Sequence, residues 1–450
     1  MGRPVAGYQA RHAKGSMAGN KKELNSQSTL RFVMRALRHR NYRLFFAGQG
    51  ISLIGTWMQR IAMSWLVYRL TNSPFLLGLV GFAGQIPTFL FASFAGVFVD
   101  RWDRHRLLLA TQTLAMVQAS LLAFLTLTGL VAVWHIFALA VCLGLVNAFD
   151  TPTRQSFVID MLENKEDLGN AIALNSFMVN GARLVGPSLA GITVAAFGEG
   201  ICFLFNGLSF LAIIISLLAM KIHRKAEKSV RTHPFQGLKE GYRYAFGFAP
   251  IRYLLMILAL SSFMGMPYVI LMPIFARDIL HGGPHTLGFL MGAAGVGALI
   301  SASYLASRKS VFGLERVIVF GSAMFGCGLI FFSLSRYMLL SLAFMLLTGF
   351  GMMTVLTSCN TILQTIVDED KRGRVMSLYA MAFMGVVPFG SLMGGSLASR
   401  IGAPATLMFG GICCIAASFL FARKLPQLRR ITRPVYIDRG IIRDVQTELQ

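Results

Sequence analysis

Apolar runs long enough to cross a bilayer, about 20 residues each, recur along almost the whole chain. They lie near 43–68, 75–99, 104–128, 133–153, 170–196, 200–221, 252–276, 285–307, 314–334, 337–358, 373–399 and 403–423. In lipid, a backbone N–H or C=O has no water to bond, so each run must satisfy its polar groups internally and form a helix. Only 14% of the residues are charged, against about a quarter in soluble domains. The expectation is an all-α membrane protein with twelve spans, in contact with the lipid bilayer.

Lys and Arg in the short loops set the orientation of such a chain. They gather in the tail before the first run (Lys21 to Arg43), in the turn after the second (Arg101, Arg104, Arg106), in the middle loop (Lys221 to Arg243), after the tenth (Lys371, Arg372, Arg374) and in the C-terminal tail (Lys424 to Arg443). The intervening loops carry single arginines or none. Both termini are therefore expected in the cytoplasm, and the long polar start predicts no cleaved signal. The reading divides the chain into a basic tail (1–42), a six-helix bundle (43–221), a linker (222–251), a second six-helix bundle (252–423) and a tail (424–450). Within the linker, Phe235, Leu238, Tyr242 and Phe246 recur at helical spacing, which predicts an amphipathic helix on the inner surface.

The formal net charge of +23 does not point to nucleic acid, because the cations alternate between loops and no soluble basic domain exists. The six cysteines lie in or beside apolar runs without metal-ligand spacing, and they read as small buried hydrophobes. The eight histidines are scattered in loops, tails and span ends. No metal, cofactor or catalytic site is expected, and the chain is not read as an enzyme.

The halves echo each other. Pro74, Leu77 and Gly78 recur 210 residues later as Pro284, Leu287 and Gly288, and Gln155 in "TRQSFV" is matched by Gln364 in "ILQTIV". A parallel six-plus-six duplication is the plan of a rocking transporter.

Between the second and third runs stands "GVFVDRWDRHR", with Asp100 and Arg104 four residues apart. Its charges pin two helix ends at the membrane surface and can bridge to a neighbouring bundle while the inner side is closed. Weakening that bridge would favour inward opening. The turn resembles the signature of the major facilitator superfamily, carried here by Gly96, Asp100, Arg101, Arg104 and His105–Arg106, with Asp103 in place of the usual second glycine. "NAFDTPTRQSFV", "NSFMVNGARLVGPSLAG" and "DKRGRVMSLYAMAF" are similar to the transmembrane secretion effector branch, which includes the enterobactin exporter and macrolide efflux relatives, over residues 37–423. The resemblance implies a charge relay in which Asp150, with Arg154 one turn on, joins Asp100 and Arg104. It also implies that Asp100 faces the start of span eleven near Gly373, as a helix N-terminus attracts an anion. The drug-antiporter pattern of span five is half present: Gly186, Pro187 and Gly191 fit, whereas Ala182 and Ala190 replace glycines.

No acid is predicted at mid-membrane, but two arginines are, Arg60 and Arg183. Charge at that depth is costly and points to function. The bland readings are that Arg60 snorkels to the interface and that Arg183 bonds carbonyls between helices. Polar neighbours Gln59, Asn180 and Asn206 complete the candidate substrate site, with Trp57, Trp65, Phe177 and Phe263 as an aromatic wall. Two uncompensated cations suit an anionic cargo, which a guanidinium grips as a fork.

The resulting expectation is a monomeric exporter of a small amphipathic molecule, a siderophore or drug-like compound, in the bacterial inner membrane. Coupling to the proton gradient follows from the family resemblance alone. The alternatives are a lipid or lysophospholipid flippase, or an importer of the same fold.

Overall fold

A computed structural model describes residues 34–99, 102–221, 242–308 and 310–439, with the side chains of 92–99 and 165 excepted. Within them the chain forms long helices: α1 (Arg40–Thr71), α2 (Pro74–Val99), α3 (Arg104–Leu127), α4 (Val133–Asp160), α5 (Leu168–Phe197) and α6 (Glu199–Leu218). After the linker come α7 (Ala249–Ile279), α8 (Pro284–Ala306), α9 (Leu314–Leu334), α10 (Met338–Ile366), α11 (Glu369–Ile401) and α12 (Ala403–Asp438). Ten of these are long and apolar enough to cross a membrane. The other two, α1 with 32 residues and α5 with 30, are equally long. Their interiors carry Gln49, Gln59 and Arg60, and Asn175, Asn180 and Arg183 respectively, which lowers their apolar character.

The ends of the helices follow from local chemistry. Asp103 caps α3, its carboxylate accepting from the backbone N–H of His105 at 3.0 Å and of Arg106 at 3.2 Å. This accounts for an acid where the resembled motif has glycine: the cap satisfies two otherwise unpaired donors of the first turn. Gly198 links α5 to α6 and Gly402 links α11 to α12, with φ of 82° and 84°. Only glycine enters that region without cost, so each link is a single residue and the helix pairs turn back tightly.

Helices α1 through α6 pack mainly among themselves, α1 against α5 and α6, α3 against α4 and α6, and α2 against α4. In the second half α10 packs on α8 and α9, and α12 on α7 and α9. Two large contacts cross between the halves, α5 with α8 and α2 with α11. Both rest on glycine. A Cβ on Gly78 would lie 2.6 Å from the Ser391 carbonyl oxygen and 2.9 Å from the Gly395 Cα; a Cβ on Gly288 would lie 2.6 Å from the Pro187 oxygen and 2.9 Å from the Gly191 Cα. Gly191 and Gly395 each stand seven residues before the turn glycines Gly198 and Gly402, so the repeat visible in the sequence is repeated in packing.

The linker stretch predicted as a surface helix falls partly outside the described residues; 242–247 are helical. There the Tyr244 hydroxyl donates to Asp368 at 3.1 Å, and burial followed by this acid pushes its pKa up. At the other extreme α12 runs on to Asp438, well past the predicted end at 423. Leu428, Thr432 and Tyr436, four residues apart, are buried, and the Tyr436 hydroxyl donates to the buried Glu315 at 3.0 Å. This buried stripe at helical spacing keeps the segment helical and docked. All six cysteines are free.

Candidate functional site

The two predicted mid-membrane arginines meet over one ring. The Arg60 guanidinium stands 4.7 Å from the Trp57 ring centroid and that of Arg183 5.7 Å. Trp57 and Arg60 share α1, and Arg183 comes from the middle of α5, so the α1–α5 packing builds the cluster. Neither arginine forms an ion pair among the described residues, and the two repel each other. The ring's negative face offsets part of that repulsion.

Trp57 and Arg183 line one pocket with residues of the other half: Tyr268, Met291, Met352 and Phe383 among them. None of the described lining residues is acidic. The second-half wall is built where helices break. In α7 the regular helix stops at Gly265 and restarts at Tyr268, because Pro267 has no N–H and clashes with the preceding turn. In α11 a π-turn, Met381–Gly385, carries Phe383 ahead of Pro388. Irregular helix at membrane depth is tolerated where it lines a cavity, and π-turns often mark functional positions. The Arg183 guanidinium lies beside the Tyr268 hydroxyl. The result is a polarised pocket, cationic and aromatic on one side, methionine-rich and apolar on the other.

Other predicted site residues lie elsewhere. Gln59 and Asn206 are buried in a chain that ties three helices together. The Asn206 amide donates to Gln59 at 2.8 Å, and the Gln59 amide donates to Gln118 of α3 at 2.9 Å. Their polar capacity is used between helices, so they hold α1, α3 and α6 in register rather than facing the pocket. The Asn180 amide donates to the Ser176 carbonyl one turn back at 2.8 Å. Of the aromatic wall, Trp57 lines the pocket, Trp65 is buried in the core, and Phe177 is 70% exposed. Phe263 packs with its backbone against Gly390. Tyr268, Met291, Met352 and Phe383 were not singled out from sequence; Pro267 beside Tyr268 was the available signal.

At the end carrying the basic turns, Asp100 and Arg101 lie outside the described residues, and Gly96 falls in the last turns of α2. Arg104 pairs with Asp160 at 3.2 Å, not with Asp150 as the relay expectation had it. Asp150 is buried and accepts from the Gln112 amide at 2.6 Å and the Thr111 hydroxyl at 3.1 Å. Arg154, one turn on, lies 3.6 Å away. The spacing of four puts Arg154 on the same helix face as Asp150, whereas Arg104 at the start of α3 meets the last turn of α4. Before α1, a 3-10 turn, Arg35–Arg38, is strapped to the α4–α5 link. Arg35 pairs with Asp167, the His39 ring meets it at 2.9 Å, and Asn170 accepts from the Ala36 N–H at 2.8 Å. The bonds from His39 and then Arg35 hold the Asp167 carboxyl below the usual carboxylate range.

At the opposite end the halves are tied by polar contacts. The Tyr68 hydroxyl donates to Asp278, and Arg277 donates to Asn72 at 2.6 Å. Leu77 and Leu287, at equivalent places in the repeat, are both buried there.

A family model described as transmembrane secretion effector matches residues 33–434. The chain is 25% identical to the staphyloferrin A transporter of Staphylococcus aureus over 392 residues, 86% of this chain and 97% of that one. It is 22% identical to macrolide efflux protein A of Streptococcus pyogenes, over 84% of this chain and 96% of the relative. Among solved structures, a bacterial homologue of the iron transporter ferroportin in an inward-facing state superposes with a TM-score of 0.64 at 18% identity, covering 87% of this chain and 98% of that chain. The chain is thus a multi-pass membrane transporter of the major facilitator superfamily and belongs to its transmembrane secretion effector family.

Proposed function

We propose that this chain exports a small amphipathic anion across the bacterial cytoplasmic membrane by alternating access. In this reading α1 and α5 also span, giving two six-helix bundles (43–221 and 252–423) joined by the 222–251 linker, with both termini inside. The observation that carries it is the pair of unneutralised guanidiniums, Arg60 and Arg183, that meet over Trp57, with Trp57 and Arg183 lining a pocket between the halves. A guanidinium at that depth is costly without a partner. An anionic group on the cargo supplies one, while its apolar part meets Met291, Met352 and Phe383. The staphyloferrin A transporter and macrolide efflux protein among the relatives support a siderophore or drug-like cargo.

The end tied by Tyr68–Asp278 and the two glycine contacts is the outer end in this reading, and it is closed. Asp150 with Arg154, and Arg104 with Asp160, belong to the inner gate. The proton gradient drives the cycle, and Asp150 has a structural part in it.

A deletion strain tests the function. Anionic compounds should accumulate in its cells and leave again when the wild-type chain is restored, but not when Arg183→Gln is. Altered leaflet distribution of lipid without small-molecule retention would instead indicate a flippase, and loss of uptake an importer.

A further inference from the structure

The segment of α12 beyond the predicted bilayer has a built underside and a bare upper face. Its underside is fixed: Leu428, Thr432 and Tyr436 are buried, Tyr436 is bonded to Glu315, and Arg439 donates to the Val367 carbonyl at 3.0 Å. Its outer face gathers Arg429, Arg430 and Arg433 into one shallow cleft with Pro434, Ile437 and Asp438. Among the described residues none of these three arginines has an ion-pair partner, and Asp438 is the only acid in the cleft. Arg423 turns back over the Phe419 ring at 4.4 Å, which suits the point where the apolar helix leaves the bilayer.

Three guanidiniums held together with one carboxylate, Asp438, in the same cleft leave a net positive charge and repel one another, and a docked helix cannot splay to relieve it. An anion in the cleft would. The helix continues directly from a span, so the anion at hand is the membrane's own. Basic clusters immediately cytoplasmic of a span attract anionic headgroups, each cation near the surface adding to the attraction. Guanidinium also bonds phosphate in a two-pronged fork, and Pro434 and Ile437 offer an apolar edge to the glycerol and upper acyl chain. We infer that the cleft of Arg429, Arg430 and Arg433 on α12 binds the headgroup of an anionic phospholipid of the inner leaflet. This rests on the proposed inner placement of the basic end and is independent of the cargo.

The test uses the purified full-length chain in neutral detergent. Short-chain phosphatidylglycerol, short-chain phosphatidylcholine and inorganic phosphate are titrated separately, and the first bound molecule is followed by native mass spectrometry. Wild-type protein should bind phosphatidylglycerol about a hundredfold more tightly than the R429Q/R430Q/R433Q variant. R429K/R430K/R433K should keep most of the binding, and Asp438→Asn should strengthen it several-fold, a readout that stands even if the glutamine variant fails to fold. Equal affinity for phosphatidylcholine, equal affinity in wild type and the glutamine variant, or no gain in Asp438→Asn would overturn the inference. So would inorganic phosphate binding as tightly as the lipid. Any of these results leaves the export reading standing, since that is read from retained compounds in cells.

Discussion

Gly78 of α2 and Gly395 of α11 lie back to back, so close that a Cβ on Gly395 would stand 2.7 Å from the Gly78 Cα. The equivalent pair, Gly288 and Gly191, repeats the contact between α8 and α5. Each closes one side of the same end of the molecule. Rocking bundles need helix ends that can both meet and part, and glycine lets two backbones meet without interlocked side chains. Gly78→Val should therefore hold that end open. In a background with the native cysteines replaced, a cysteine at Leu287 should become several-fold more reactive to a membrane-impermeant thiol reagent. Unchanged reactivity would mean that the contact is ordinary helix packing.

Asp150 is bonded by Gln112 and Thr111 and paired with Arg154. Asp150→Asn removes the charge opposite Arg154 but keeps the shape. Thermal stability should fall by about 1–3 kcal/mol and transport should slow, while the response to an imposed pH gradient persists in proteoliposomes. Loss of that response with cargo binding intact would assign the proton to Asp150.

The chain of Asn206, Gln59 and Gln118 ties three helices. Asn206→Leu should lower stability by about 1–2 kcal/mol and leave cargo affinity unchanged, as read by thermal unfolding and binding on the same sample. A binding loss without a stability loss would put Asn206 back among the cargo contacts.

The strap before α1 depends on an ionised Asp167, whose folded-state pKa is depressed by His39 and Arg35. A carboxylate of this kind adds stability that is fully present above its unfolded pKa, about 4, and is lost as pH falls through the lower folded value. A spin label at Ala36→Cys should stay immobile down to about pH 4 and loosen below it, whereas Asp167→Asn should loosen it at neutral pH. A label that loosens with the pH unchanged by Asp167→Asn would remove Asp167 from the strap.

The family, the long helices and the two arginines inside α1 and α5 were legible because each leaves a local mark: a charged turn at a fixed place, apolar runs of span length, and cations where the chain is otherwise apolar. The pairing of Arg60 with Arg183 through Trp57 was not legible, since it depends on how α1 lies against α5. Gln59 and Asn206 looked like site residues because polarity in a span does not reveal which way it faces. Arg104 was assigned to Asp150 on the resemblance, and geometry gives it Asp160, closer along α4 to the end where α3 begins. Tyr268 and Phe383 reach the pocket through breaks in α7 and α11, whose prolines are visible but whose inward turn is a tertiary outcome.

The most direct measurement of the cargo account is equilibrium binding of an anionic catecholate and a neutral macrolide to purified wild type, Arg183→Lys and Arg183→Gln. A Lys keeps the charge without the planar fork; a Gln keeps neither. Catecholate affinity should fall moderately in Arg183→Lys and by about 10- to 100-fold in Arg183→Gln, the worth of a charge-assisted hydrogen bond, with the macrolide much less affected. Equal losses for both compounds in Arg183→Gln, or no loss for either, would contradict the account and leave Arg183 a packing residue.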